Sequence, residues 1–163
     1  MEKLANMSTV SKAIVLLGGL AFIACGTAAM NHQSAFHSTM VGSNPDMPIA
    51  GVGSGTVPWT IDGSTASLEE NGQVHVSIRN LIRPDTGNAN PVTSVSATLV
   101  CGDSVVATTD AVPLSEMGDA EINQELAMPA VCVGPIFLVN IAGLDGAPLP
   151  QLGPWIAATG VSG

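Results

Sequence analysis

The stretch SVSATLVCGD, residues 94–103, carries the clearest strand pattern of the chain. Apolar side chains at every second position from Val95 to Cys101 alternate with the hydroxyl side chains of Ser94, Ser96 and Thr98, a period of two that is typical of a strand with one buried face. Gly102-Asp103 then provides a turn signal. We therefore expect Cys101 to face inward at the end of a strand.

Similar strand patterns lie on both sides of this stretch. The hairpin signal Asn71-Gly72 precedes an alternating segment at 74–78, and an apolar run follows at 136–139. Residues 57–61 and 155–159 each carry a tryptophan, and we expect them to be the first and last strands, lying side by side. The sequence thus predicts an all-β domain at 56–163, an antiparallel two-sheet immunoglobulin-like sandwich of about seven or eight strands.

An export signal is predicted at 1–25. Lys3 and Lys12 precede the apolar run AIVLLGGLAFIA, and small residues follow it. A helix of this length spans roughly 18 Å, short of the roughly 30 Å hydrocarbon core, although a short membrane anchor is an alternative. Two processing routes stay open. A signal peptidase would cut as late as Ala29, whereas FIAC at 22–25 resembles a bacterial lipobox that would make Cys25 a lipidation site.

Residues 26–55 show neither helical nor strand periodicity and contain scattered Gly, Ser, Asn and Pro, which predicts a flexible linker. The segment also holds imidazole and thioether side chains, which together suit copper ions. The candidate ligands of such a metal site are His32, His37, Met40 and Met47. The competing interpretation is that these residues are incidental in a disordered segment.

Cys101 and Cys132 are predicted to form a disulfide. In an exported chain, the two cysteines that follow the signal most simply pair with each other. Zinc would require further Cys or His ligands nearby, and a cysteine nucleophile would require a base. Immunoglobulin domains usually link their second and sixth strands, whereas Cys101 comes one strand late in this count.

Composition argues against several functions. Lys and Arg number 4 against 13 Asp and Glu, a formal net charge of -9, so the surface repels nucleic-acid phosphates. His75 is the only histidine of the predicted domain and falls on a polar strand face. The paired carboxylates Glu69 and Glu70 fall at a hairpin, so we expect no catalytic activity.

Calcium is a possible cofactor, with the oxygen ligands Asp85, Asn88 and Asn90 in one loop. A plain turn-rich connection is the alternative there.

The motifs PWTID, ATLVCGD, MGDAEI, PAVC and PWIAATG, within residues 57–160, resemble a group of small exported bacterial β-sandwich proteins of unknown function. The resemblance implies a fold and export but no chemistry. We expect a secreted or lipid-anchored cell-surface structural or interaction module whose partner is a protein or the cell envelope. Membrane contact would come only through the lipid anchor. The alternative function is extracytoplasmic copper binding by the linker.

Overall fold

A computed structural model describes residues 34–160, which form an all-β domain without helices. Within this range there is no helix of the length and apolarity that a bilayer-spanning segment requires. The export signal and Cys25 lie outside the described residues. The ten strands are β1 Ser34–Gly42, β2 Thr65–Glu69, β3 Gln73–Ile78, β4 Val92–Cys101, β5 Ser104–Thr108, β6 Val112–Pro113, β7 Ala120–Glu125, β8 Pro135–Leu144, β9 Ala147–Pro148 and β10 Trp155–Thr159.

The strands pair into one continuous antiparallel sheet in the order β5-β4-β8-β10-β1-β2-β3-β7, with β6 beside β4 and β9 beside β8. The sheet curls so that apolar side chains from both of its halves share one core. The prediction of an all-β antiparallel fold is confirmed. The strand pairing does not show the predicted division into two separate sheets, and the strand count exceeds the predicted one because β1, β6 and β9 had no clear pattern.

Strand β1 joins the two halves of the sheet, which corrects the prediction of a flexible linker over 26–55. It pairs with β2 as far as Thr39↔Thr65 and with β10 from Met40↔Thr159 onward. The sequence of β1, SAFHSTMVG, lacks a clear strand signal. Its inward positions carry Phe36, Ser38 and Met40 instead of an unbroken apolar series. Residues 26–33 of the predicted linker lie outside the described range.

The middle of the sheet is buried on both faces. Phe137 and Val139 of β8 pack into the main core, whereas Leu138 points to the other face, where it clusters with Trp155. This second face is covered by the loop after β1, which is fixed by the indole Nε1 of Trp155 donating a hydrogen bond to the Met47 carbonyl at 2.9 Å. A strand that is buried on both sides explains the continuous apolar run at 136–139.

Residues 57–61 are not a strand, which corrects the prediction that they open the domain. The only β-bridge that these residues form is the isolated antiparallel pair Thr60↔Ile82. Trp59 and Trp155 are nevertheless both buried, as predicted, although they belong to different clusters. Strand β10, which begins with Trp155, lies between β8 and β1, and the loop before residues 57–61 reaches it only through the isolated parallel bridge Ser54↔Trp155.

Candidate functional site

Strands β4 and β8 run side by side along the domain and define its two ends. At one end Cys101 pairs with Pro135, and at the other Val92 pairs with Leu144. A strand the length of β4 extends roughly 30 Å. We call these the disulfide end and the pocket end.

A cavity of about 330 Å³ opens at the pocket end. This volume lies near the lower limit of the roughly 300–1,000 Å³ that is common for small-molecule sites, and such sites are mostly apolar with a few polar groups. The wall combines the loop before β2, the start of β4, the end of β8 and the segment that leads into β10. Its residues are Gly55, Thr56, Val57, Trp59, Arg83, Pro91, Val92, Ile141, Leu144, Leu149 and Pro154.

Arg83 is the one charged side chain in this wall, and its side chain is 22% exposed. Its Nη2 donates to Oδ2 of Asp85 at 2.6 Å, and its Nη1 donates to the Asn90 carbonyl at 3.4 Å. Its Nε is buried and has no hydrogen-bond partner. An unpaired buried donor costs about 1–3 kcal/mol, and this Nε is out of reach of a ligand unless the side chain moves.

The contacts of the 85–90 loop favour a plain turn over a calcium site. The carboxylate of Asp85 is paired with Arg83, and Oδ1 of Asn88 accepts a bond from the Asn90 backbone N–H at 3.0 Å. The same oxygen contacts the Thr86 hydroxyl at 3.3 Å. The side-chain oxygens of Asp85 and Asn88 therefore already bond to groups within or beside the loop itself. Among residues 34–160 there is no group of three His, Cys, Asp or Glu side chains that could hold a metal.

The predicted copper ligands do not converge. His37 is exposed on β1, whereas Met40 is 7% exposed in the core, and their spacing puts them on opposite faces of the strand. Met47 is exposed in the following loop, and His32 lies outside the described residues. A metal could reach the Met40 thioether only if β1 left the sheet.

The predicted disulfide between Cys101 and Cys132 is confirmed, with their Cα atoms 5.0 Å apart. It fixes the loop between β7 and β8 to the turn after β4, where the Gly102 N–H also donates to the Val133 carbonyl at 2.7 Å. Val131 and Val133 flank Cys132 and are 75% and 71% exposed. The pairing of Cys132 follows from the cysteine count, whereas no pattern in the sequence marks the valines beside it.

His75 lies on the exposed side of β3, in agreement with its predicted polar position, and contacts the Asn123 side chain on the neighbouring strand β7. His75 lies within β3 and does not line the cavity, whereas Arg83 belongs to the segment that follows this strand. The two candidates for a functional site are therefore a cavity with one guanidinium and an apolar loop braced by a disulfide. The chain matches no protein-family model, no curated protein and no solved structure.

Proposed function

We propose that the protein is an extracytoplasmic, non-catalytic interaction module, secreted or attached to the cell envelope, that binds a small and mainly apolar carboxylate in the cavity at the pocket end. The observation that carries the ligand proposal is the position of Arg83, a scarce cation in an acidic chain, in an otherwise apolar wall. The disulfide supports placement outside the cytoplasm, because oxidising compartments are where such bonds persist.

The chemistry of the wall selects the ligand class. Apolar surface around the cavity favours a hydrocarbon body, since burial of such surface is worth about 25 cal/mol per Å². A carboxylate would find the guanidinium of Arg83, and hydrogen bonds between ionised partners are the strong ones. The existing partner, Asp85, is 58% exposed, whereas the Arg83 side chain is 22% exposed, so solvent screens their contact only in part. A ligand carboxylate would have to share Arg83 with Asp85 or displace it.

The test compares octanoate with 1-octanol by isothermal titration calorimetry on the intact chain. Octanoate should bind more tightly, because only its carboxylate can engage the cation. Arg83→Met should weaken octanoate binding by about 10- to 100-fold, since a hydrogen bond to a charged group is worth about 1.5–3 kcal/mol. The matched control is Arg79→Met, which removes the same charge from an arginine that is 47% exposed and lies outside the cavity wall.

A second variant tests the cavity itself. Leu149→Trp places a larger side chain in the wall and should reduce the affinity for both ligands, while thermal unfolding checks that the fold persists. Equal binding of octanoate by the Arg83→Met variant and the wild type would refute the role of the guanidinium. A wild-type chain that binds octanoate no better than 1-octanol would refute the carboxylate class.

A further inference from the structure

The loop between β7 and β8 presents the two most exposed large apolar side chains of residues 34–160, Val131 and Val133. Residues 126–136, LAMPAVCVGPI, contain no charged side chain. Val105, which is 42% exposed, lies two residues into β5 and follows the turn that the disulfide fixes. Contiguous exposed apolar surface is a feature of sites that another body covers, and this loop is the candidate for such a site among the described residues.

These valines are held in place rather than left on a loose loop. The disulfide joins Cys132 to the end of β4, and the hydrogen bond from Gly102 to the Val133 carbonyl fixes the next residue. Both valines therefore project outward from a braced segment. A surface that keeps its shape needs little ordering when it docks, which lowers the entropic cost of the contact.

The start of the described chain lies at the same end of the domain. Strand β1 begins with Ser34 opposite Glu69, and Ala35 lines a shared depression with Cys132. The predicted apolar signal run ends at residue 24, and residues 25–33 reach at most roughly 30 Å when fully extended. An N-terminus held in or on a bilayer would thus keep the disulfide end within that distance of the lipid.

We propose that Val131 and Val133 contact the interfacial region of the membrane to which the N-terminus is attached, so that the pocket end faces away from the lipid. The inference rests on the proposed membrane attachment and not on the ligand of the cavity. Glu70, which lines the depression beside Cys132, and Asp103, next to Gly102, add negative charge at this end. The surface therefore suits zwitterionic lipid better than anionic lipid at low salt, because like charges repel.

The experiment places a tryptophan at the loop and at a matched position elsewhere. Val133→Trp is compared with Met117→Trp, which changes another exposed apolar residue, 60% exposed, in the turn before β7. That turn is tied to Leu81 by the Leu81 N–H and the Gly118 carbonyl at 3.0 Å, near the end of β3 that is remote from the disulfide. The full-length variants are bound to phosphatidylcholine vesicles with and without brominated acyl chains.

The emission of the tryptophan introduced at position 133 should be quenched on brominated vesicles. On vesicles without bromine, this emission should shift to shorter wavelength. The Met117→Trp variant should show neither change, and both variants should keep the wild-type near-ultraviolet circular dichroism. A vesicle-bound Val133→Trp protein with unquenched emission would overturn the proposal and leave a protein partner as the occupant of this surface. Wild-type chain that stays in solution when vesicles are sedimented would overturn the attachment as well, while octanoate titration would still report on the cavity.

Discussion

Met40→Ala should lower the free energy of unfolding by about 2–3 kcal/mol, because Met40 is a core residue at the point where β1 changes partner. Truncating a buried methionine typically costs about 2–5 kcal/mol through lost transfer free energy and the cavity left behind. The lower part of that range applies, since Met40 also borders an open depression formed with Gly42, Trp59 and Ser64 into which neighbours and solvent can relax.

The assay is urea unfolding followed by the emission of the buried residues Trp59 and Trp155. With an m-value of about 1–3 kcal/mol/M, the midpoint should fall by about 0.7–3 M. The matched control is Met47→Ala, which truncates a methionine that is 49% exposed and should change stability by no more than about 0.5 kcal/mol. Equal midpoints for the two variants would refute the packing of β1 and restore the flexible linker.

Three further outcomes are expected. Replacing Cys101 and Cys132 with Ser should destabilise the domain by roughly 2–4 kcal/mol in urea unfolding, because the bridge closes a chain segment with a sequence separation of 31 residues; native protein whose thiols react freely would contradict the crosslink. Gly118→Ala should cost more than Gly87→Ala in thermal unfolding. Both glycines have positive φ, but only at 118 would a Cβ lie 2.2 Å from a backbone atom. Mass spectrometry of the exported protein should find a chain that begins at Met30 or an acylated Cys25, and Cys25→Ala should abolish membrane attachment only on the second route; a mature chain that retains Met1 would contradict export.

Local patterns predicted much of the sheet. The alternation at 94–103 became β4, the signal at Asn71-Gly72 became the β2–β3 hairpin, and the apolar run at 136–139 lies within β8. Each depends on residues adjacent in the chain, where a period of two or a turn residue is enough. Strand β1 was not predicted, because its partners, β2 and β10, supply the apolar surroundings that its own sequence lacks.

The cavity could not be predicted in the same way. Its wall draws on separate segments, from Gly55 to Pro154, that meet only after the sheet has curled. The available signal was the scarcity of Arg83, one of two cations beyond Lys12 other than histidine. Two of the predicted copper ligands do not converge for a related reason. His37 and Met40 are close in sequence, but the alternation of a strand places their side chains on opposite faces.

On the proposed export route, the position of β10 constrains the order in which the chain can fold. The last strand inserts between β8 and β1, and the side chain of Thr39 bonds to the Gly160 carbonyl, 121 residues further along the chain. A chain that crosses a membrane from its N-terminus delivers β1 first and β10 last, so the two edges that flank β10 stay unpaired until translocation is nearly complete. Late, non-local closure of this kind is slow. It would keep the emerging polypeptide unfolded in transit, with its open strand edges exposed to aggregation until the final residues arrive.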